Sequence, residues 1–243
     1  MGSTNLSQQP KPLHGMFTEV PPQYDHVNRI ITLGLDNRWR LLAARACLEK
    51  KPLRVLDLGC GTSNLTINLA LLAEDGMEII TGLDYSHPML ELARNKATRA
   101  GVEKRVKFVH GQASLLPFPD SHFDCVGISF AFRNLTYKNP LRLPHLSEVK
   151  RVLKPGGRYV IVESSQPGNR VIRTLFHFYL HTFVAPVGIL LSGNRGAYHY
   201  LAESASRFYS PGEVKEMLLA AGFSDASYRP LFFGAAGIHV ATR

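Results

Sequence analysis

The chain has 243 residues, 45% of them hydrophobic and 19% charged, which suits one globular domain with a sizeable core and excludes a wholly disordered chain. Lys and Arg number 28 against 19 Asp and Glu, a net charge of +9; that excess suits nucleic acid or membrane headgroups without choosing between them. Cys47, Cys60 and Cys125 are odd in number, far apart and without a CxxC pair, which excludes a disulfide framework and the recognisable zinc spacings and fits reduced thiols.

The first residues, MGSTNLSQQPKPLHG, contain no apolar run of the secretory kind, and Leu6 stands where a myristoylation signal wants Ser or Thr. Residues 1–13 are expected to form a flexible tail, and 14–243 one domain. Helical patterns follow over Gln23–Leu33 and Asn37–Lys50, where Gly34 can end the first and Asp36 cap the second. Beyond them short apolar runs alternate with helical patterns. LRVLDLG (53–59), EIITGLD (78–84), VKFVHG (106–111), FDCVGISF (123–130) and RYVIVES (158–164) read as strands. Leu65–Ala73, Pro88–Ala100 and the segment 145–153 read as helices, the last stopping at KPGG. This order predicts an α/β fold with an open, mostly parallel sheet and helices on both faces. After Ser210-Pro211 the chain offers a final helix and two extended segments, 224–231 and 232–242.

Residues 165–207 have a different character and are expected to form a helical insertion capping the domain. Arg173, His177 and His181 recur at i, i+4 and i+8 as one polar stripe, with Leu175, Phe176, Tyr179 and Phe183 over much of the remainder. Core packing is one reading of those aromatics, and an apolar tunnel or bilayer contact is the other. No uninterrupted apolar stretch is long enough to span a bilayer; Val171 to Ser192 comes nearest and carries Arg173, His177, His181 and Pro186.

The strongest local signal is VLDLGCGTSN (55–64), a strand, a glycine turn and a helix start in which Gly59 and Gly61 let the backbone approach a ligand closely. Asn64 stands where a dinucleotide fingerprint wants a further glycine, and Asp57 precedes the turn. Asp84 ends the second strand, where a carboxylate can accept two ribose hydroxyls or cap the next helix. Gln112 and Ala113 follow the third strand at the sheet edge where ligands of such folds bind. Taken in order, these signals over residues 53–164 resemble a class I S-adenosylmethionine methyltransferase. The resemblance implies a Rossmann-like, seven-stranded sheet whose last strand is antiparallel. It also implies S-adenosylmethionine as cofactor, held by Asp57, Gly59, Gly61, Thr62, Asp84, Tyr85, Gln112, Ala113 and Ser129.

A narrower resemblance runs from about residue 16 to the end. Tyr24-Asp25-His26-Val27-Asn28, Asn37-Arg38-Trp39-Arg40, Phe130-Ala131-Phe132-Arg133-Asn134, RVLKPGG (151–157), Glu163-Ser164-Ser165-Gln166-Pro167 and Tyr198–Ser204 are similar to the quinone-biosynthesis C-methyltransferases. That family methylates a ring carbon of a polyprenylated quinol, demethylmenaquinol or a ubiquinol precursor, and the Ser164–Pro167 segment and aromatic insertion look more like its menaquinone members. Three departures stand out: Asn64 lacks the carboxylate usual near the cofactor amine, Val27 replaces Met, and Asn194-Arg195-Gly196 lacks an acid.

The resemblance implies that Asn28, Phe176 and Tyr200 face the substrate with Arg133 and Asn134. Arg133 is expected to stabilise a quinol oxygen losing its proton, an arginine being too weak an acid to serve as base. The alternative for Arg133 is an ion pair with Asp25 or Glu163, and both can hold at once. Candidate proton acceptors are Tyr24, Asp25, His26 and Tyr200, with Asp25 or a water it orients placed first. No metal is expected. The partners implied are a polyprenyl quinol, an anionic membrane surface and a second copy in a homodimer, with no nucleic acid. The expected place is cytoplasmic, on the inner face of the membrane. A nucleic-acid methyltransferase fits less well, because FRNL (132–135) is not an NPPY-type tetrad and no Pro-Cys dipeptide occurs.

Overall fold

The structure, a computed structural model, describes residues 24–243 apart from Asp75. The expected tail, the residues from 14 to 23 and the Gln23 start of the first helix lie outside the described residues. Strands β1 (Arg54–Leu58), β2 (Ile79–Asp84), β3 (Val106–His110), β4 (Phe123–Ser129), β5 (Leu153–Ser164), β6 (Asp225–Leu231) and β7 (Ala236–Thr242) form one sheet in the order β3-β2-β1-β4-β5-β7-β6. All neighbours pair in parallel except β7, which runs antiparallel to both β5 and β6. The seven-stranded α/β sheet with an antiparallel last strand is therefore as expected.

The strands are buried on both faces, so their apolar runs divide by alternation. Leu56, Leu58, Val126 and Ile128 face one layer of the core, and Val55, Ile80, Cys125 and Val160 face the other. Fully burying a side chain of this size stabilises the fold by about 1.5–3 kcal/mol. Helices α1 (Tyr24–Ile31), α2 (Leu35–Leu48), α3 (Asn64–Leu72) and α4 (His87–Arg99) precede β3 in the chain. The short α5 (Phe132–Thr136) and α6 (Arg142–Val152) lie between β4 and β5, and α10 (Pro211–Ala220) leads into β6. Asp36 does not cap α2. Gly34 takes that place with φ 76°, and Asp36 sits inside the first turn, buried and bonded to Arg40 and Thr32. Residues 232–235 are not extended: Phe232–Gly234 make a tight 3-10 turn, with Phe232 and Phe233 in the left-handed region at φ 43° and 56°.

The insertion holds α7 (Arg170–Tyr179), a π turn (Leu180–Val184), α8 (Ala185–Ser192) and α9 (Arg195–Ser206). The first three run as one helix of 23 residues. Arg173, His177, His181 and Pro186 thus interrupt the apolar run in sequence but not the helix. The π turn stands just before Pro186, where a missing N–H is most easily tolerated. By length and composition alone this helix is apolar enough to cross a membrane. One side of it, through Leu180, Val184 and Ala185, packs with Val27 and Ile31 of α1 and with Tyr198 and Ala202 of α9. That third core joins the N-terminal helix to the cap.

The cap depends on a close helix crossing. A Cβ built on Gly188 would lie 2.0 Å from Cδ1 of the buried Tyr198. Gly188→Ala should therefore displace Tyr198 and destabilise the protein by on the order of 1–3 kcal/mol, visible as a lowered thermal midpoint. An unchanged melt would contradict this packing.

Candidate active site

Register brings the first cluster together. Leu58 pairs with Leu83, so the glycine turn after β1 lies beside Asp84 at the end of β2. Gly59 has φ 65°, and a Cβ there would meet that of Ala131 at 3.0 Å, so a side chain would be both strained and crowded. Asp84 accepts from the Gly61 N–H and the Ser86 N–H, each at 2.9 Å. Ser86, not Asp84, caps α4. The remaining lone pairs of Asp84 suit a vicinal diol. Asp57 is 1% exposed; Thr66 donates to its Oδ2 at 2.6 Å, while Oδ1 has no partner among the described residues. Burial pushes its pKa up to about 7 against the hydrogen bond from Thr66. A buried carboxylate oxygen without a donor, next to a glycine turn, fits the ammonium of an amino-acid group.

Asp25, expected to take a proton from the substrate, is engaged elsewhere and does not line the cleft. Its carboxylate accepts from Lys96 Nζ at 2.8 Å, Thr62 Oγ1 at 2.8 Å and Asn64 Nδ2 at 2.9 Å. Burial alone would raise its pKa, but the bond and charge of Lys96, with Thr62 and Asn64, leave it lowered. A carboxylate held in this way is a weak base, and it acts as the tie between α1 and the glycine turn. Lys96 also donates to Asn64 Oδ1 at 2.5 Å. Asn64, where a carboxylate is usual, thus joins Asp25, Lys96 and Thr62 in one polar cluster. Its neighbours on α1, Tyr24 and Asn28, line the cleft; burial raises the Tyr24 phenol's pKa, which makes it a donor rather than a base. His26 is exposed and does not line the cleft.

The substrate-side residues are set by a strained turn. Phe130 follows β4 with φ 56°, packed between Trp39 (ring centroids 6.0 Å apart) and the Arg40 guanidinium (5.1 Å from its ring). The turn starts α5, which carries Arg133 and Asn134 into the interior. Arg133 is 7% exposed. Its Nη1 donates to Glu163 Oε1 at 3.2 Å and Ser164 Oγ at 2.6 Å, and its backbone N–H donates to Glu163 Oε2 at 3.0 Å. Of the two acids weighed as its partner, Glu163 is the one that pairs. Among the described residues Arg133 Nε has no partner.

Both clusters open into one cavity of about 550 Å³, within the range of small-molecule sites. Among the described residues six buried side-chain atoms lack a hydrogen-bond partner. Five of them belong to residues that line this cavity: Asp57 Oδ1, Arg133 Nε, Asn134 Oδ1, His145 Nε2 and Tyr200 Oη. Buried polar atoms are ordinarily paired, so their gathering in one place marks a ligand surface. Gly59, Gly61, Thr62, Tyr85, Gln112, Ala113, Ser129, Asn28 and Phe176 also line it.

Three of the lining residues that were not singled out from sequence bear on the chemistry or shape of the cleft. Arg40 is buried and donates to Ser129 Oγ at 3.0 Å; its place in Asn37–Arg40 was the available signal. His145 Nδ1 donates to Leu135 O at 2.8 Å, leaving Nε2 as an acceptor, and burial lowers its pKa so the ring stays neutral. It is the kind of group that can receive a proton within the cleft. Phe232, expected in a strand, stands at the mouth with Trp39 at 6.3 Å. His177, of the expected polar stripe, is half-buried and bonded to Gln166 at 2.9 Å.

Comparison with known proteins agrees with this geometry. The ubiE/COQ5 methyltransferase family matches residues 4–243. Demethylmenaquinone methyltransferase of Thermus thermophilus is 44% identical over 94% of this chain and 100% of its own length. The ubiquinone/menaquinone biosynthesis C-methyltransferase UbiE of Geobacter sulfurreducens is 35% identical over 96% of this chain and 89% of its own length. Among solved structures, the S-adenosylmethionine-dependent methyltransferase SibL superposes with a TM-score of 0.66 at 20% identity, covering 95% of this chain and 61% of its own. A methyltransferase of Aquifex aeolicus gives 0.58 at 20% identity, covering 89% and 97%. These two show the fold alone.

Asp57 makes ligand binding dependent on pH. Only its ionised form attracts an ammonium, so affinity for S-adenosylhomocysteine should rise as pH rises toward and through about 7. The change should approach tenfold per pH unit below that value. Calorimetric titration from pH 6 to 8 measures it, and Asp57→Asn should flatten the dependence. A wild-type profile already flat would contradict the assignment.

Proposed function

This chain belongs to the ubiE/COQ5 methyltransferase family, and from that premise we propose that it methylates a ring carbon of a polyprenylated quinol, demethylmenaquinol first. A ubiquinol precursor is the second reading, supported by the name of the Geobacter relative. The protein is an S-adenosylmethionine-dependent methyltransferase, and the glycine turn, Asp57, Asp84 and the Gln112-Ala113 edge fit that cofactor's amino-acid, ribose and adenine parts. Bound there, the cofactor supplies an electrophilic methyl group. The work of the protein is to make a quinol carbon nucleophilic and to hold it in place, and positioning of this kind is worth up to about 7–11 kcal/mol.

The observation that carries the proposal is the unpartnered Nε of Arg133. Its guanidinium is held on one side by Glu163 and Ser164, which leaves a fixed donor for a quinol oxygen. That oxygen becomes a phenolate as its proton leaves, and a preorganised cation beside it stabilises the charge. Asn134 Oδ1 can accept from a quinol hydroxyl. Tyr200, whose phenol is kept protonated by burial, can donate to one. Phe176 and Tyr179, lining the apolar part of the cavity, suit the prenyl chain. We extend the proposal to place, the inner face of the cytoplasmic membrane, where a lipid-borne quinol resides and a net charge of +9 is favoured.

The identity of the substrate is tested by supplying the chain to a host that lacks its own quinone C-methyltransferase. Mass spectrometry of the quinone pool should show demethylmenaquinone replaced by its methylated form; an unchanged pool would refute the reading. The role of Arg133 is tested separately. Arg133→Ala should lower turnover by about 10²–10³-fold while S-adenosylhomocysteine binding is retained. It also strands Glu163, at a cost of about 3–5 kcal/mol, so Arg133→Ala/Glu163→Gln should recover stability without recovering turnover. Recovered turnover in the double variant would contradict a role in catalysis.

A further inference from the structure

The mouth of the cleft exposes apolar side chains that nothing among the described residues covers. Along the helix from Arg170 to Ser192, Val171, Leu175, Phe178 and Leu190 are 68, 62, 65 and 83% exposed. The first three recur at helical spacing on one side, and the exposed Thr182 and Pro186 continue that side toward Leu190. The other side of the helix is the one packed on α1 and α9. Leu175 also lines the cleft, so this stripe forms one lip.

Leu33, Phe232 and Phe233 also line the cavity, and are 64, 50 and 75% exposed. All three hold left-handed backbone, at φ 54°, 43° and 56°. Bulky residues that are both strained and exposed are not explained by folding, since a glycine would relieve the strain and a polar residue the exposure. Single exposed apolar residues are ordinary, but a set gathered at a cleft mouth marks an interaction surface.

Charge selects the partner. Residues 164–202 contain Arg170, Arg173 and Arg195 and no Asp or Glu, and residues 226–237, which run through the Phe232-Phe233 turn, contain Arg229 and no Asp or Glu. Arg29 and Arg38, exposed, flank Leu33 in the chain. An apolar rim set in cationic, acid-free segments complements an anionic lipid surface, with side chains at headgroup depth and arginines among the phosphates.

We propose that this rim is a membrane-docking face. Leu33 and the Phe232-Phe233 turn enter the headgroup layer, and the helix from Arg170 to Ser192 lies flat in the interface with its exposed stripe down. The inference rests on the quinol reading and deepens it, because the cleft then opens directly onto the phase that holds the prenylated substrate. Although long enough to span, the helix lies flat here because its other side is committed to the third core.

The test uses the full chain in flotation with vesicles of phosphatidylcholine alone or mixed with phosphatidylglycerol. The wild type should float with the anionic vesicles at low salt, and progressively less as salt is raised. Val171→Ser/Phe178→Ser/Leu190→Ser alters three exposed residues that do not line the cleft. It should weaken flotation by about tenfold or more, while turnover of a short-tailed quinol in solution stays at the wild-type rate and so reports a folded protein. Phe233→Ser should weaken flotation independently. The proposal is overturned if the wild type does not float on anionic vesicles, or if the triple variant floats like the wild type. It is also overturned if sedimentation shows a wild-type dimer that the triple variant dissociates, which would make a second copy the occupant. Lost flotation with intact soluble turnover removes the docking face alone. Intact, stripe-dependent flotation in a chain that methylates no quinol supports the docking face and removes the functional reading instead.

Discussion

A guanidinium cannot be left alone in a protein interior, and the cleft is organised around the buried Arg133–Glu163 pair. Ser129 at the end of β4 lies opposite Val162 of β5, so the next residue of β5, Glu163, stands level with the turn that starts α5. Its carboxylate takes both the backbone N–H and Nη1 of Arg133, which fixes the short helix and the side chain together. A pair of this kind is weak evidence for net stability, because desolvation offsets much of the attraction. Its contribution is orientation: Nη1 is held by Glu163 and Ser164, while Nε has no partner among the described residues. The same strand segment pairs with β7, Glu163 opposite Gly237 and Ser164 opposite Ala236. The anchor of the substrate site therefore leads within a few residues to the aromatic turn at the cleft mouth.

The cofactor half is built on similar economy. Asp84 ties the turn after β1 to the end of β2, and Asp25 ties α1 to the same turn through Thr62, Asn64 and Lys96. Tyr24 and Asn28 reach the cleft because their neighbour Asp25 is held. The orientation of α1 over the site is thus coupled to the loop that receives the cofactor. The buried, unpartnered oxygen of Asp57 and the neutral His145 leave two further polar groups for ligands, whereas the carboxylate of Asp25 is used up inside the protein.

Much of this was legible in the residues. Apolar period and the turn at Gly59–Gly61 sufficed for an open, mostly parallel sheet and its order of elements, because strands buried on both faces leave a clear apolar pattern. The seven strands and the antiparallel last one were implied by the resemblance to class I methyltransferases. The partner of Arg133 was narrowed to two acids and no further. Composition treats Asp25 and Glu163 alike; only strand register brings Glu163 alongside, and only the fold brings Lys96 to Asp25. The continuity of the helix at Pro186 was hidden because a π turn leaves no strong mark in sequence. The bend at residues 232–235 was hidden because two phenylalanines read as strand formers, although their backbone is left-handed. The absence of any carboxylate from 164 to 202 was visible all along, and it gains meaning once that segment is seen to form a lip of the cleft.

The central claim, that Arg133 Nε waits for a quinol oxygen, is most directly tested by a crystal structure of the chain with S-adenosylhomocysteine and a short-tailed demethyl quinol. The account predicts a quinol oxygen within about 3 Å of Arg133 Nε, with the Arg133–Glu163 pair intact. A quinol bound with its oxygens turned away from Arg133, or a guanidinium that swings out of its contact with Glu163, would contradict it.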